Sequence, residues 1–199
     1  MIVATHNKGK VREIRQVLKG LGLQIFSLSD FPNLNEIEED GRSFTENTLK
    51  KARFYSKLYG KLTIADDSGL EVDILKGLPG IYSARYAGEG ASDRNNNQKL
   101  LREMEDIPSS KRGARFKCSI AIVSPEGKEA VLEGVCKGRI GFKEVGKKGF
   151  GYDPLFILPQ YRKTMAQLSL KEKNRISHRG KALRKLRKLR VKKYHIGIL

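Results

Sequence analysis

The chain has 199 residues, 39% hydrophobic and 31% charged, enough for one domain with a sizeable core and cramped for two independent ones. Forty Lys and Arg against 22 Asp and Glu give a formal charge of +18, and no apolar run approaches the roughly 18 residues of a membrane span, so a soluble globular protein with no membrane partner is expected. Twelve of the basic residues, against a single Glu, lie between Lys171 and Lys193; an imbalance concentrated in one C-terminal segment reads as a solvated helix face, with nucleic-acid binding by that tail left as the alternative. The opening Met1-Ile2-Val3-Ala4 lacks the basic-then-apolar order of a signal peptide. The two cysteines, Cys118 and Cys136, sit in strand-like segments, so buried thiols and a cytoplasmic location are expected.

In chain order, Ile2 to Ala4 predicts a short strand, followed by a polar loop Thr5-His6-Asn7-Lys8-Gly9-Lys10. Val11, Ile14, Val17, Leu18 and Leu21 then recur at helical spacing. Gly20 and Gly22 stop that helix, and Leu23 to Leu28 alternates as a second strand. The stretch from Pro32 to Gly41 is acidic and irregular. Ser43-x-x-Glu46 has the form of a capping box, opening a helix through Leu49, Ala52, Tyr55 and Tyr59 that ends at Gly60. Leu62 to Ala65 predicts a buried strand that ends by delivering Asp66 and Asp67.

Farther on, Gly77-Leu78-Pro79-Gly80 is turn chemistry, Tyr82 to Ala91 reads as a loop, and Ser92 caps a helix reaching Met104. Runs at 114–123 and 129–140, separated by Pro125-Glu126-Gly127, predict an antiparallel hairpin. After the glycine-rich Gly146 to Gly151 comes a strand from Leu155 to Leu158. A second capping box, Ser169-x-x-Glu172, opens a helix whose apolar spacing extends through Ile176, Leu183, Leu186 and Leu189. The whole reads as one α/β domain over 1–199, with a basic C-terminal helix and tail from about residue 170.

Four segments carry chemistry. The Thr5 to Lys10 loop places a hydroxyl, an amide and two lysines at a helix N-terminus, where backbone N–H groups and the helix dipole favour a polyphosphate; an ordinary capped turn with solvated lysines has the same composition. Adjacent Asp66 and Asp67 repel unless a cation or donor compensates, and a hard divalent ion such as Mg2+ suits them, with Glu38 and Glu39 as further carboxylates. The alternative is a capping role for one of the pair. Phe150-Gly151-Tyr152-Asp153 sets two aromatics beside glycine, as a surface for a flat ring would, though such aromatics also serve as core. Lys173 with Ser177-His178-Arg179 offers several donors to the acceptors of a 6-oxo purine, or else simply stabilises a helix.

In combination and order these segments resemble the inosine triphosphate pyrophosphatase family, also described as dITP/XTP pyrophosphatases. The matching elements run from Thr5 to Lys10, through Glu39-Asp40-Gly41 with Phe44 and Glu46-Asn47, Ala65 to Leu70, and Pro79 to Tyr86. They continue with Gly149 to Pro154, Glu172-Lys173, and Ile176 to Ala182. His6 departs from the family, where that position is often small, and the tail beyond Ala182 is unusually basic.

The resemblance implies an elongated mixed sheet with flanking helices, two lobes around a central nucleotide cleft, and a homodimer. It further implies that the chain hydrolyses ITP, dITP and XTP to monophosphate and pyrophosphate with Mg2+. Thr5, His6, Asn7, Lys8, Gly9 and Lys10 would hold the triphosphate, with Ser68 entering the substrate site. Asp67 would act as general base and metal ligand, with Glu39 as second metal carboxylate. Phe150 would stack on the base beside Gly151, Tyr152 and Asp153, and Lys173, His178 and Arg179 would read it.

Overall fold

The computed structural model describes residues 1–31 and 37–193, with side chains as far as Arg187. Residues 32–36 of the acidic stretch, the inner-face position assigned to Leu189, and the tail beyond residue 193 lie outside that description. The chain is α/β, with β1 (Ile2–Val3), α1 (Lys8–Leu18), β2 (Phe26–Ser27), α2 (Phe44–Tyr59), β3 (Thr63–Val72) and α3 (Asp93–Glu103). These are followed by β4 (Gly113–Val123), β5 (Glu129–Ile140), β6 (Phe156–Leu158), β7 (Lys163–Thr164), α4 (Leu170–Ile176) and α5 (His178–Lys193). The strands form one sheet in the order β2-β1-β3-β4-β5-β6-β7. It is mixed: β1 runs parallel to β2 and β3, whereas β6 runs antiparallel to β5 and β7. Among the described residues no helix is long and apolar enough to cross a membrane.

Backbone proximity separates two compact units, residues 1–67, 118–134 and 178–199 in the first, 68–117 and 135–177 in the second. In the first, β1, the start of β3 and the hairpin arms of β4 and β5 are covered on both faces. Residues 124–128 join those arms in a turn closed by Ser124 N–H to Lys128 O at 2.9 Å, short enough that only an antiparallel pair can be linked this way. On one face Val11, Ile14 and Leu18 of α1 pack with Val3, Ile64, Cys118, Ile120 and Ala182 and Leu183 of α5. Burial of each large aliphatic side chain contributes about 1.5–3 kcal/mol. On the other face Ala52 and Tyr55 of α2 pack with Ile2, Ala4, Ala65, Ala121 and Val123. Gly134 allows α5 to sit directly on β5, since a Cβ there would stand 2.0 Å from the His178 carbonyl oxygen. The second unit has its own core, built from Leu70, Val72, Leu100, Phe116, Phe156, Leu158 and Met165 among others.

Helix starts follow the expected chemistry. Asn7 caps α1 by accepting from Lys10 N–H, Ser43 caps α2 by accepting from Glu46 N–H, and Ser169 with Glu172 forms a complete capping box on α4. At α2 only half of the expected box forms, because Glu46 Oε2 accepts from Arg42 N–H one residue upstream at 2.9 Å. Gly60 closes α2 in the left-handed conformation.

Three expectations are corrected. The second strand is two residues long and gives way to a 3-10 turn at Leu28–Asp30, where Asp30 caps Ser27. The segment read as a loop from Tyr82 begins inside a 3-10 helix, Gly80–Arg85. The long C-terminal helix is two helices. Ser177 is extended (φ −66°, ψ 162°) and its N–H caps the Lys173 carbonyl, so α4 ends there and α5 begins in the other unit.

Candidate active site

The first unit gathers charge at one point of β3. The parallel register Ile2↔Thr63 and Val3↔Ile64, with Ala4 N–H bonded to Ile64 O at 2.8 Å, carries the chain beyond β1 to the level of Asp66. The Thr5 to Lys10 loop therefore opens α1 beside it. Thr5 Oγ1 accepts from Asn7 N–H at 3.1 Å and Asn7 Oδ1 from Lys10 N–H at 3.0 Å, so both side chains shape the loop. His6 and Lys8 are exposed and Gly9 is half-buried.

Asp66 and Asp67 lie inside β3, with the strand continuing to Val72, rather than at its end as expected. Consecutive strand residues face opposite ways, and this separates the two carboxylates. Asp66 faces α1 and α5. Its Oδ1 accepts from Lys10 Nζ at 2.7 Å and Arg179 Nη2 at 3.1 Å, and its Oδ2 from Arg179 Nε at 2.8 Å and the Cys118 thiol at 3.0 Å. Arg179, 1% exposed, completes its charge balance with Glu13 Oε2 at 2.6 Å. The repulsion anticipated between the neighbouring aspartates is thus relieved for Asp66 by an Arg and a Lys. Burial alone would push the Asp66 carboxyl up, but Arg179 and Lys10 outweigh it and hold the group well below its ordinary value. Burial likewise opposes the Lys10 charge, yet Asp66, with help from Asp67, raises its pKa. Burial, and then Asp66, keep the Cys118 thiol protonated.

Asp67 faces α2. Asn47 Nδ2 donates to its Oδ2 at 3.0 Å, while Asn47 Oδ1 accepts from Gly41 N–H at 2.7 Å, tying the acidic loop to the carboxylate. Burial pushes the Asp67 carboxyl above its ordinary value of 3.8, opposed by Lys10 and Lys51 and assisted by the nearby charge of Glu39. Lys51 Nζ bonds Glu39 Oε1 at 2.8 Å and the Asp66 carbonyl oxygen at 3.2 Å. Lys10 Nζ reaches that same carbonyl at 3.3 Å. Two ammonium groups, from helices on opposite faces of the sheet, therefore converge beside Asp67.

Sequence reasoning passed over Lys51, gave Asn47 no role and missed Glu13. The signal for Lys51 and Asn47 was their place on the buried face of α2, which also carries Phe44, Thr48, Ala52 and Tyr55. A lysine on an apolar stripe needs a partner. Glu13, buried on α1, carried the same signal.

The second unit holds the aromatic segment. Asp153 Oδ2 accepts from Phe150 N–H at 2.9 Å and from Lys173 Nζ, and that ammonium lies 4.6 Å from the Phe150 ring centroid. Tyr152 is buried and donates to Ser83 O at 2.9 Å. Gly149 adopts φ +81°, and a Cβ there would stand 2.0 Å from Asp153 Oδ2, so only glycine admits the Asp153 cap. Of the residues expected in one site, Lys10, Asp66, Asp67, Glu39 and Arg179 come together in the first unit, and Phe150, Asp153 and Lys173 in the second. Ser68, half-buried on β3, opens the second unit, and buried His178 begins α5 in the first. The guanidinium of Arg179, expected at the base, is bonded at Nε, Nη1 and Nη2 to Asp66 and Glu13.

Among the described residues no group of three or more His, Cys, Asp or Glu is disposed to hold a metal ion. Asp67 and Glu39 nonetheless fit Mg2+, which takes hard oxygen ligands and is usually held by one or two carboxylates, its shell completed by water and substrate phosphates.

Comparison with known proteins agrees along nearly the whole chain. The sequence model of the Ham1 family matches residues 1–189. The dITP/XTP pyrophosphatase of Desulforamulus reducens is 52% identical over 185 residues, covering 93% of this chain and 92% of that protein. The protein of the same name from Bacillus cereus is 50% identical over 188 residues, covering 94% and 92%. Among solved structures, a HAM1 protein from Coxiella burnetii superposes with a TM-score of 0.85 at 38% identity, covering 96% of this chain and 97% of that one. A nucleoside-triphosphatase, or dITP/XTP pyrophosphatase, from Mycobacterium abscessus gives 0.74 at 44% identity, covering 93% and 97%.

Proposed function

The chain belongs to the Ham1 family, and from that premise we propose that it is a nucleoside triphosphate pyrophosphatase that converts ITP, dITP and XTP to the monophosphate and pyrophosphate, clearing aberrant purines from the precursor pool. The relatives named dITP/XTP pyrophosphatase support the activity. The observation that carries it is the convergence of Lys10 and Lys51 on the Asp66 carbonyl beside Asp67, a paired positive charge next to a carboxylate whose proton affinity is raised.

In this reading Lys10, Lys51 and the N–H groups at the start of α1 neutralise and align the triphosphate. Asp67, oriented by Asn47, takes a proton from water as its oxygen bonds to the α-phosphorus. The bond from that phosphorus to the α–β bridging oxygen breaks, and pyrophosphate departs. A base with a raised pKa suits this transfer near neutrality better than an ordinary aspartate. Asp67 and Glu39 would hold Mg2+, which when bound would supply charge neutralisation to the phosphates. Phe150 stacks on the base, and Lys173 and His178 supply donors to a 6-oxo group; adenine would set its amino group against those donors. The protein acts as a homodimer, and Lys171, Arg175, Lys181, Lys185 and Arg187 of the basic segment, which are exposed, form a solvated face.

The deciding experiment is hydrolysis of ITP, XTP, dITP, ATP, GTP and dUTP with Mg2+, scored for pyrophosphate and orthophosphate. ITP, XTP and dITP are expected to yield pyrophosphate fastest. Faster turnover of ATP than of ITP would sink the base assignment, and orthophosphate alone would sink the pyrophosphatase reading.

A further inference from the structure

The aromatic segment of the second unit is gripped by a helix that no part of the mechanism above uses. Asp93 and Asn97 stand one turn apart on α3, on the same face. Asp93 Oδ2 accepts from Gly151 N–H at 2.6 Å, and Asn97 Nδ2 donates to Gly151 O at 3.2 Å. Both backbone groups of the residue between Phe150 and Tyr152 are therefore held from one helix. Gly151 itself adopts φ +58°, a conformation that a side chain would resist, so its peptide groups are turned toward α3 by a backbone geometry that only glycine takes up easily.

The helix is in turn fixed to its unit. Ser92 caps it, Leu100 enters the core, and Asn96 accepts from Ala87 N–H at 2.8 Å while donating to Ala84 O at 3.0 Å. A rigid support thus reaches the aromatic pair through two hydrogen bonds. One detail sets Asn97 apart from a residue kept for stability. It is 3% exposed, and its Oδ1 is buried without a hydrogen-bond partner among the described residues. A buried acceptor left unpaired weakens the folded state, so the position is poor for stability while its amide serves Gly151.

We propose that Asp93 and Asn97 are positioning residues for base recognition, holding Gly151 from α3 so that Phe150 keeps the orientation in which it stacks on the nucleotide base. The proposal rests on the reading that Phe150 stacks on the base. Without the clamp, the ring samples other orientations and binding weakens, while the charge cluster around Asp67 is untouched.

The test is steady-state hydrolysis of ITP by D93A, D93N, N97L and F150A, each with its thermal midpoint. Loss of one such hydrogen bond is expected to raise KM about fivefold in D93A and in N97L, with kcat within about twofold of the parent. D93N keeps an acceptor oxygen and is expected to restore most of the parent KM. N97L removes the unpaired oxygen and is expected to melt at the same temperature or higher despite its raised KM, an outcome that a purely structural role does not allow. If F150A raises KM while D93A and N97L leave it unchanged, or if their activity falls only in step with stability, the clamp is wrong. If F150A itself leaves KM unchanged, the base-stacking reading fails and the proposal falls with it.

Discussion

The two units build their functional groups from different materials. Around Asp66 and Asp67 the first uses formal charges, with Lys10 and Arg179 paired to Asp66, Glu13 paired to Arg179, and the Lys51–Glu39 pair joined to them at the Asp66 carbonyl. Around Phe150 the second adds to the buried Lys173–Asp153 ion pair a wall made by backbone shape, with glycines at positive φ and side chains that cap peptide groups. A charge cluster responds to pH and to loss of a partner, because Asp66, Arg179, Glu13 and Lys51 are buried on the strength of their neighbours. A backbone-shaped wall responds instead to added atoms and lost caps. The difference teaches that strand geometry can send adjacent aspartates into separate environments, one paired with buried cations and one left with a raised proton affinity.

The sharpest way to break this division is Asp67→Asn. Turnover is expected to fall by about three orders of magnitude, as for loss of a general base. Because folding raises the proton affinity of Asp67, its ionised form is disfavoured in the folded state. The variant should therefore melt at the same temperature or higher at pH 7, an advantage that disappears below pH 3.8, where the carboxyl is protonated in both states. In the metal-free protein, carboxyl NMR titration should find Asp67 protonating above 3.8 and Asp66 below it. The stabilisation from Asp66 is then present in full above pH 3.8 and is lost as the pH falls through its depressed folded-state value. A fully active Asp67→Asn enzyme, or the two titrations in reverse order, would overturn the assignment of duties.

Next in size is Arg179→Met. Removing this guanidinium leaves Asp66 and Glu13 buried without their shared cation, and the cost in chemical denaturation should be about 3–5 kcal/mol. A loss below about 1 kcal/mol, with altered base preference as the main effect, would return Arg179 to base reading and remove it from the cluster. The smallest effect is expected in the other unit. Gly149→Ala forces a side chain into a left-handed position and against Asp153, and should cost about 1–3 kcal/mol. It should raise KM for ITP more than it lowers kcat. An unchanged KM would show that the cap on Phe150 N–H is dispensable.

Local chemistry was legible in the sequence where the physics is local. The caps at Ser43, Ser92 and Ser169, the stop at Gly60, and the apolar faces of α1 and α2 follow from residue type and spacing over one or two turns. The phosphate-type loop and the pair of carboxylates were visible as well, and their order along the chain pointed to the family. The break at Ser177 was not visible, because the pattern from Ser169 to Leu186 is compatible with one helix and nothing at Ser177 forbids it. Lys51 and Glu13 hid inside helical stripes as residues whose partners lie far off in sequence: Glu13 and Arg179 are 166 positions apart.

What the sequence by itself determined, then, is the α/β class, the helix boundaries set by caps and glycines, and the placing of a polar loop and two adjacent carboxylates along the chain, since these depend on properties each short segment carries with it. Only the tertiary structure decided which of Asp66 and Asp67 is paired and which is raised in proton affinity, that Lys51 joins Lys10 at one carbonyl, and that Arg179 answers to Glu13. Those outcomes depend on the face each side chain takes in β3 and on burial among charges drawn from α1, α2 and α5. Long-range Coulomb and desolvation energies exist only once those elements have packed.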